Sequence, residues 1–151
     1  NQLITEVTAL YQENEQQVEL LLALDNDLPL LQLDQHRVRQ LLVNLIKNAL
    51  EAIEADTAGM NHNHGQLSIS TEVASLRSSQ QVLLLLKDNG PGIPEDMLPR
   101  LFEPYVTSKH KGTGLGLAIV KKIVEEHGGT LSAGNLEPKG TMITIRLPVV
   151  V

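Results

Sequence analysis

Apolar residues recur over the first thirteen positions at helical spacing. Leu3, Ile4, Val7, Leu10 and Tyr11 share one face. Residues 17–25 predict a strand, and Leu30 to Leu33, after Pro29, predict a short second one. Asp34 is the candidate N-cap of a long helix reaching about Ala55, with Val38, Leu42, Leu45, Ala49 and Ala52 as its buried stripe. Residues 57–65 are polar and read as a loop. Strands follow near 66–74 and 81–88, and Asp88-Asn89-Gly90-Pro91-Gly92 reads as a turn. Pro94 opens a short helix toward Phe102, and residues 104–114 form a Gly/Lys/Thr loop. A helix from about Leu115 to Glu126 stops at Gly128-Gly129, a helix C-terminus signal. Strands near 130–134 and 140–147 end the pattern. Hairpin strands interleaved with helices imply an α/β sandwich: a mixed, mostly antiparallel sheet with helices on one face.

Composition narrows the class. A chain of 151 residues fits one ordinary domain, and a hydrophobic fraction of 42% suffices for a core. Aromatics are scarce, only Tyr11, Phe102 and Tyr105, so the core is built from Leu, Ile and Val. There is no cysteine, hence no disulfide and no thiolate metal site. The net charge of −6, without a Lys/Arg cluster, disfavours nucleic acid as a partner. The apolar run Val82 to Leu86 is far short of the roughly 20 residues of a membrane helix. Neither membrane contact by this stretch nor a signal peptide is expected, and the cytoplasm is the expected compartment. The chain opens mid-pattern at Asn1, without Met, and reads as a piece of a longer protein that can itself be anchored in the inner membrane.

Three features could carry chemistry. Asn44 and Asn48 lie one turn apart on one helix face, in a polar stripe with Arg37, Gln40 and Glu51. Most such stripes are simply solvated. Two Asn in mid-helix are nevertheless unusual, each costing on the order of half a kcal/mol against Ala. An amide oxygen is a hard neutral ligand, suited to completing a Mg²⁺ shell that phosphates mostly fill. The second feature is Asp88-Asn-Gly90-Pro-Gly92-Ile93 at the end of an apolar strand. A carboxylate there can accept hydrogen bonds from an amine, and the glycines let a flat ligand approach the backbone. Taken alone it is an ordinary Asn-Gly turn. The third is Gly112-Thr113-Gly114-Leu115-Gly116-Leu117, opening a helix whose free N–H groups can bind anions. No Gly-Lys-Ser/Thr follows, so it is not a P-loop, and it follows a loop rather than a strand, unlike a dinucleotide fingerprint. Alone it is a flexible connector.

Their order is more informative than any one of them. An Asn-bearing helix, a strand ending in Asp-x-Gly-x-Gly and a Gly-rich loop opening a helix resemble the GHKL ATPases, and in particular the catalytic domain of sensor histidine kinases of the nitrogen-regulation type. Asn44-Leu-Ile-Lys-Asn48-Ala-Leu-Glu51-Ala52 resembles the N box. Asp88 to Ile93 resembles the first glycine box, Leu101-Phe102-Glu103-Pro104-Tyr105 the F box, and Gly112 to Leu117 the second glycine box. Gly140-Thr141 resembles the last glycine element, so that the resemblance spans about residues 34–148.

The resemblance implies a Bergerat fold with ATP under a mobile lid. It implies that Asn48 holds Mg²⁺, Asp88 the adenine amine, Gly90 and Gly92 the adenine wall, and Gly112, Gly114 and Gly116 the phosphates. Ile93, Phe102, Thr107, Thr113, Leu115, Leu117 and Thr141 lie in the same motifs and are expected to line the nucleotide. Lys109 matches a lid lysine placed near the γ-phosphate, and it joins Asn44 and Asn48 as the expected catalytic positions. Many sensor kinases carry a basic residue and Tyr one turn after the Asn. Here stand Glu51 and Ala52, which leaves more phosphate charge to Mg²⁺, Lys109 and Lys111. Residues 1–13 resemble the tail of a dimerisation helix, leaving 17–151 as the ATP-binding domain. A helix packed on its own sheet is the alternative for residues 1–13.

The implied function is transfer of the γ-phosphate of Mg-ATP to a histidine on a dimerisation domain upstream of Asn1, with a response regulator as partner of the full-length kinase. ADP is the product. The rivals are a hydrolytic GHKL ATPase and a nucleotide-sensing module without catalysis. The hydrolytic relatives place a Glu, as general base, one turn before the Mg²⁺ Asn, where this chain has Asn44. His62 and His64 are expected to be solvated loop side chains, and His127 a favourable positive charge at a helix C-terminus.

Overall fold

A computed structural model describes residues 1–12, 18–57, 65–77, 79–104 and 116–149. Among them are three α-helices, five strands and one 3₁₀ turn. In chain order these are α1 (Gln2–Gln12), β1 (Val18–Leu24), α2 (Gln35–Thr57), β2 (Gly65–Leu76), β3 (Ser79–Asp88), the 3₁₀ turn Leu98–Arg100, α3 (Gly116–Glu126), β4 (Thr130–Asn135) and β5 (Thr141–Pro148). The strands form one sheet in the order β1-β2-β3-β5-β4. β1 pairs parallel with β2, and the other three pairings are antiparallel. The sheet is therefore mixed and mostly antiparallel, as the pattern predicted.

Alternation along the strands sends one set of side chains toward the helices. Leu67 and Ile69 of β2, Leu84 and Leu86 of β3, and Ile143 and Ile145 of β5 join Leu42, Leu45, Ile46 and Ile53 of α2 and Val120, Ile123 and Val124 of α3 in one core. Three of the predicted stripe residues, Leu42, Leu45 and Ala49, are buried, but Leu41, Ile46, Leu50 and Ile53 widen the stripe. α1 enters the same core through Ile4 and Val7, so its packing makes no break with the rest of the domain. Leu10, expected on that face, is instead 61% exposed, and Thr8 is buried in its place, its hydroxyl donating to the Ile4 carbonyl oxygen at 2.7 Å. A hydroxyl can be buried there because the preceding turn accepts its proton.

Two other expectations fail for physical reasons. Leu30 to Leu33 form no strand: the segment has no ladder partner among the described residues, and Leu30 is 96% exposed. The helix expected from Pro94 is only a turn followed by 3₁₀ geometry, with Arg100 N–H bonded to the Met97 carbonyl and Leu101 N–H to that of Leu98. Pro99 has no N–H to give an α-type ladder. By contrast, Asp34 is the cap expected of it, its carboxylate accepting from the His36 and Arg37 N–H groups at 3.0 and 3.2 Å. Among the described residues no helix is long and apolar enough to cross a membrane.

Candidate functional site

Register places two motif residues, Asp88 and Thr141, in one row across the sheet with Asn135. Asp88, the last residue of β3, stands opposite Thr141 of β5, and Thr141 stands opposite Asn135 of β4. After Asp88 the chain leaves the sheet. Asn89 still reaches back to β2: its side-chain oxygen accepts the Gln66 N–H at 2.8 Å, and its own N–H donates to the Gln66 carbonyl at 3.2 Å. The turn then folds under its own carboxylate, with Gly90 N–H donating to Asp88 Oδ1 at 2.9 Å.

Glycine is required where this turn touches its neighbours. Gly90 is buried beneath α2, and a Cβ there would sit 3.0 Å from Asp88 Oδ1 and 3.4 Å from the Ala52 carbonyl carbon. Gly92 has φ +86°, a left-handed conformation that side chains rarely adopt. Gly140, just before Thr141, has φ +118°, and a Cβ on it would land on the Asp88 carbonyl oxygen. The strand end bearing the carboxylate is thus closed in by backbone on one side and by α2 on another.

The contact with Ala52 fixes where α2 presents its polar side chains. Asn48 lies one turn before Ala52, Asn44 one turn earlier, and both are half-buried. At its other end α2 is tied to α3. Arg37 makes a two-pronged pair with Glu126, at 3.0 Å from Nε and 2.7 Å from Nη2. The Asp34 N–H donates to His127 Nε2 at 3.0 Å, while His127 Nδ1 lies 2.7 Å from the Ile123 carbonyl oxygen. His127 thus links the start of α2 to the last turn of α3. The Arg37 hydrogen bond holds the Glu126 carboxyl below the usual carboxylate range, with desolvation opposing it and the Arg37 charge reinforcing it.

These ties run the start of α2 against the end of α3. From Glu126 back to Gly116, α3 runs 126 − 116 = 10 residues, about 15 Å of helix.

Of the expected site residues, Asn44, Asn48, Asp88, Gly90, Gly92, Ile93, Phe102, Gly116, Leu117 and Thr141 are described. Thr141 is buried beside Asp88, and Phe102, half-buried, follows the buried Leu101. Thr107, Lys109, Gly112, Thr113, Gly114 and Leu115 lie outside the described residues, as do Tyr105, Lys111, His62 and His64. Sequence reading missed Asn135, which bonds twice to Ile93, and the bond of the Asp34 N–H to His127. Both act through partners more than forty positions away, a signal that periodicity does not contain.

Residues 33–151 match the family described as histidine kinase-, DNA gyrase B-, and HSP90-like ATPase. The chain belongs to this family. It is 40% identical over 136 residues to the sensor histidine kinase ZraS of Escherichia coli O157:H7, covering 90% of this chain and 27% of ZraS. It is 45% identical over 114 residues to the nitrogen regulation protein NtrY of Azorhizobium caulinodans, covering 76% of this chain and 14% of NtrY. The catalytic domain of histidine kinase ThkA superposes with a TM-score of 0.80 at 32% identity, covering 98% of this chain and 91% of ThkA's. The chain thus spans about a quarter or less of the two sensor proteins, but nearly the whole of one histidine-kinase catalytic domain.

Within the histidine kinase-, gyrase B- and HSP90-like ATPases, then, this chain is a histidine-kinase catalytic domain, with the α/β sandwich of that group. The Asp88 turn, the Asn face of α2 and the end of β4 all lie within the residues matched.

Proposed function

We propose that this domain binds Mg-ATP between the Asp88 turn and α2 and delivers the γ-phosphate to a histidine on a dimerisation domain of the same kinase, with α1 as the tail of that domain's helix. The observation that carries the reading is the packing of Gly90 beneath Ala52. It brings the carboxylate of Asp88 within about one helical turn of Asn48, so one nucleotide can reach both.

The adenine amine donates to Asp88, and the ring lies on the Gly90–Gly92 backbone. The triphosphate runs toward the N-terminus of α3, where aligned N–H groups and the helix dipole favour negative charge. Gly112, Gly114 and Gly116 let the backbone approach the phosphates, and Lys109 adds a positive charge near the γ-phosphate. Among the described residues no three His, Asp or Glu side chains cluster as a protein-only metal site requires. The donor set fits Mg²⁺ instead, with phosphate oxygens as most of its ligands and the Asn48 amide oxygen as one more. When bound, Mg²⁺ neutralises the triphosphate. In the transfer itself the bond from the γ-phosphorus to the ADP oxygen breaks, a bond to the unprotonated nitrogen of a neutral imidazole forms, and the proton on the other ring nitrogen leaves to solvent. Such a reaction asks for positioning and charge neutralisation more than for covalent chemistry from the protein. Asn44 cannot take a proton from water, which weighs against hydrolysis.

The test is Asn48→Ala in a kinase carrying its dimerisation domain. Autophosphorylation should fall to background while the unfolding midpoint stays near wild type, because a half-buried helical Asn gives way to a better helix former. Turnover near wild type would remove Asn48 from the metal site.

A further inference from the structure

Asn135 ends β4 and belongs to none of the motifs, yet it meets Ile93 through both atoms of its amide. Its Oδ1 accepts the Ile93 N–H at 2.8 Å, and its Nδ2 donates to the Ile93 carbonyl oxygen at 2.8 Å. Only one assignment of the amide oxygen and nitrogen satisfies both bonds, so its orientation is fixed by chemistry. The side chain imitates one residue of an antiparallel ladder and takes both backbone polar groups of Ile93. A Cβ on Gly92 would lie 3.1 Å from the same Oδ1. Pro91, within the turn, has no N–H to give. The near end of the turn is held by Asn89 on Gln66 and by Gly90 on Asp88, and the far end is held by Asn135.

We infer that Asn135 is a positioning residue for adenine. It never touches the nucleotide, but it holds the Gly92–Ile93 peptide at the height where the ring stacks on it, and so sets ATP and ADP affinity. This rests on the proposed placement of adenine at Asp88, Gly90 and Gly92. The register explains why the residue stands here. Asp88, Thr141 and Asn135 form one row across three strands, and the turn leaving Asp88 passes the Gly140 end of β5 to reach Asn135. Without the amide clamp, the far end of the turn is ordered only when nucleotide binds, and that ordering is drawn from the binding free energy.

The specificity for Asn is chemical. Asp at 135 accepts the Ile93 N–H but cannot donate, and it sets a negative charge against the Ile93 carbonyl. Ala makes neither bond, and Ser makes one at a time.

The experiment measures ADP affinity by calorimetry for Asn135→Ala, Asn135→Asp, Asn135→Ser and Asp88→Asn, with urea midpoints to confirm folding. ATP dependence of autophosphorylation is measured in the kinase with its dimerisation domain. Loss of both bonds in Asn135→Ala, and of one bond with an added repulsion in Asn135→Asp, should raise the ADP Kd and the ATP KM together by about fivefold to tenfold, and Asn135→Ser less, with kcat at saturating ATP within twofold of wild type. A merely structural role would lower the urea midpoint and the active fraction without this split. Asp88→Asn serves as the control and should weaken ADP at least tenfold. An ADP Kd within twofold of wild type in the Asn135 variants, with Asp88→Asn weakened, overturns the inference alone. Unchanged affinity in all four overturns the adenine placement with it. If Ala and Asp fail to fold, Ser decides: full affinity with one bond lost overturns the inference.

Discussion

Gly140 shows how much one residue can fix. Its φ of +118° lies where only glycine is comfortable, and the hydrogen in place of its Cβ faces the Asp88 carbonyl oxygen. Two costs coincide in Gly140→Ala: a conformation worth about 1–3 kcal/mol of strain in any other residue, and a methyl group driven into backbone that cannot rotate away. The expected result is a fall in unfolding free energy of at least about 2 kcal/mol, together with weaker ADP binding, because relief of the clash moves the strand end that carries the carboxylate. Urea unfolding and calorimetry on one preparation give both numbers. A variant as stable as wild type with full ADP affinity would mean that the Asp88–Gly140 contact is soft. Gly65 is a useful contrast: a Cβ there would strike the buried Ile53 side chain of α2, so the same substitution disturbs core packing rather than the strand end at Asp88.

Elements show what the pattern could and could not say. α2 was legible because its stripe, its Asp34 cap and its length agree. The strands were legible because apolar alternation marks them, and the Asp88 turn because Gly and Pro punctuate it. The non-strand at Leu30 to Leu33 was not legible: alternation proposes a strand, but only a neighbour with unpaired N–H and C=O groups makes one. The parallel pairing of β1 with β2 was likewise invisible, since its register is set by packing over α2 rather than by a turn. The tie between α2 and α3 is of the same kind. Its chemistry predicts an acid response. The Glu126 pKa is depressed in the folded state, so the pair's contribution is fully present above the unfolded carboxylate value and is lost as pH falls through the folded one. Glu126→Gln should therefore slightly lower the urea midpoint at neutral pH and bring it into coincidence with wild type in acid, once the pH has fallen through the depressed folded pKa. The effect is small because Arg37 and Glu126 are partly exposed, with side-chain exposures of 30% and 38%. A constant difference between variant and wild type from neutral to acid pH would show that packing, not charge, is lost.

At the scale of the whole molecule the question is where the phosphate goes. The described histidines are poor acceptors for this site. Both ring nitrogens of His127 are engaged, one by the Asp34 N–H and one by the Ile123 carbonyl. His36 is exposed in the first turn of α2, and 48 − 36 = 12 residues separate it from Asn48, about 18 Å of helix. A γ-phosphate held near Asn48 therefore lies well away from it. On the proposed reading the acceptor is brought by another part of the kinase, with α1 as the tail of its helix. Ile4 and Val7 are sunk in the catalytic core while Leu10 faces outward, so the helix is anchored here and keeps apolar surface for a neighbour. The 151-residue chain alone should bind ADP and ATP yet acquire no acid-labile, base-stable phosphate from labelled ATP. Adding the dimerisation helices of its kinase as a separate polypeptide should restore labelling on those helices, with weak apparent affinity, since an untethered partner loses an effective concentration in the mM range. Label on the chain itself would show that one of its own histidines reaches the nucleotide. Nucleotide binding with no label on either polypeptide, at helix concentrations in the mM range, would point to a nucleotide-sensing module instead of a kinase.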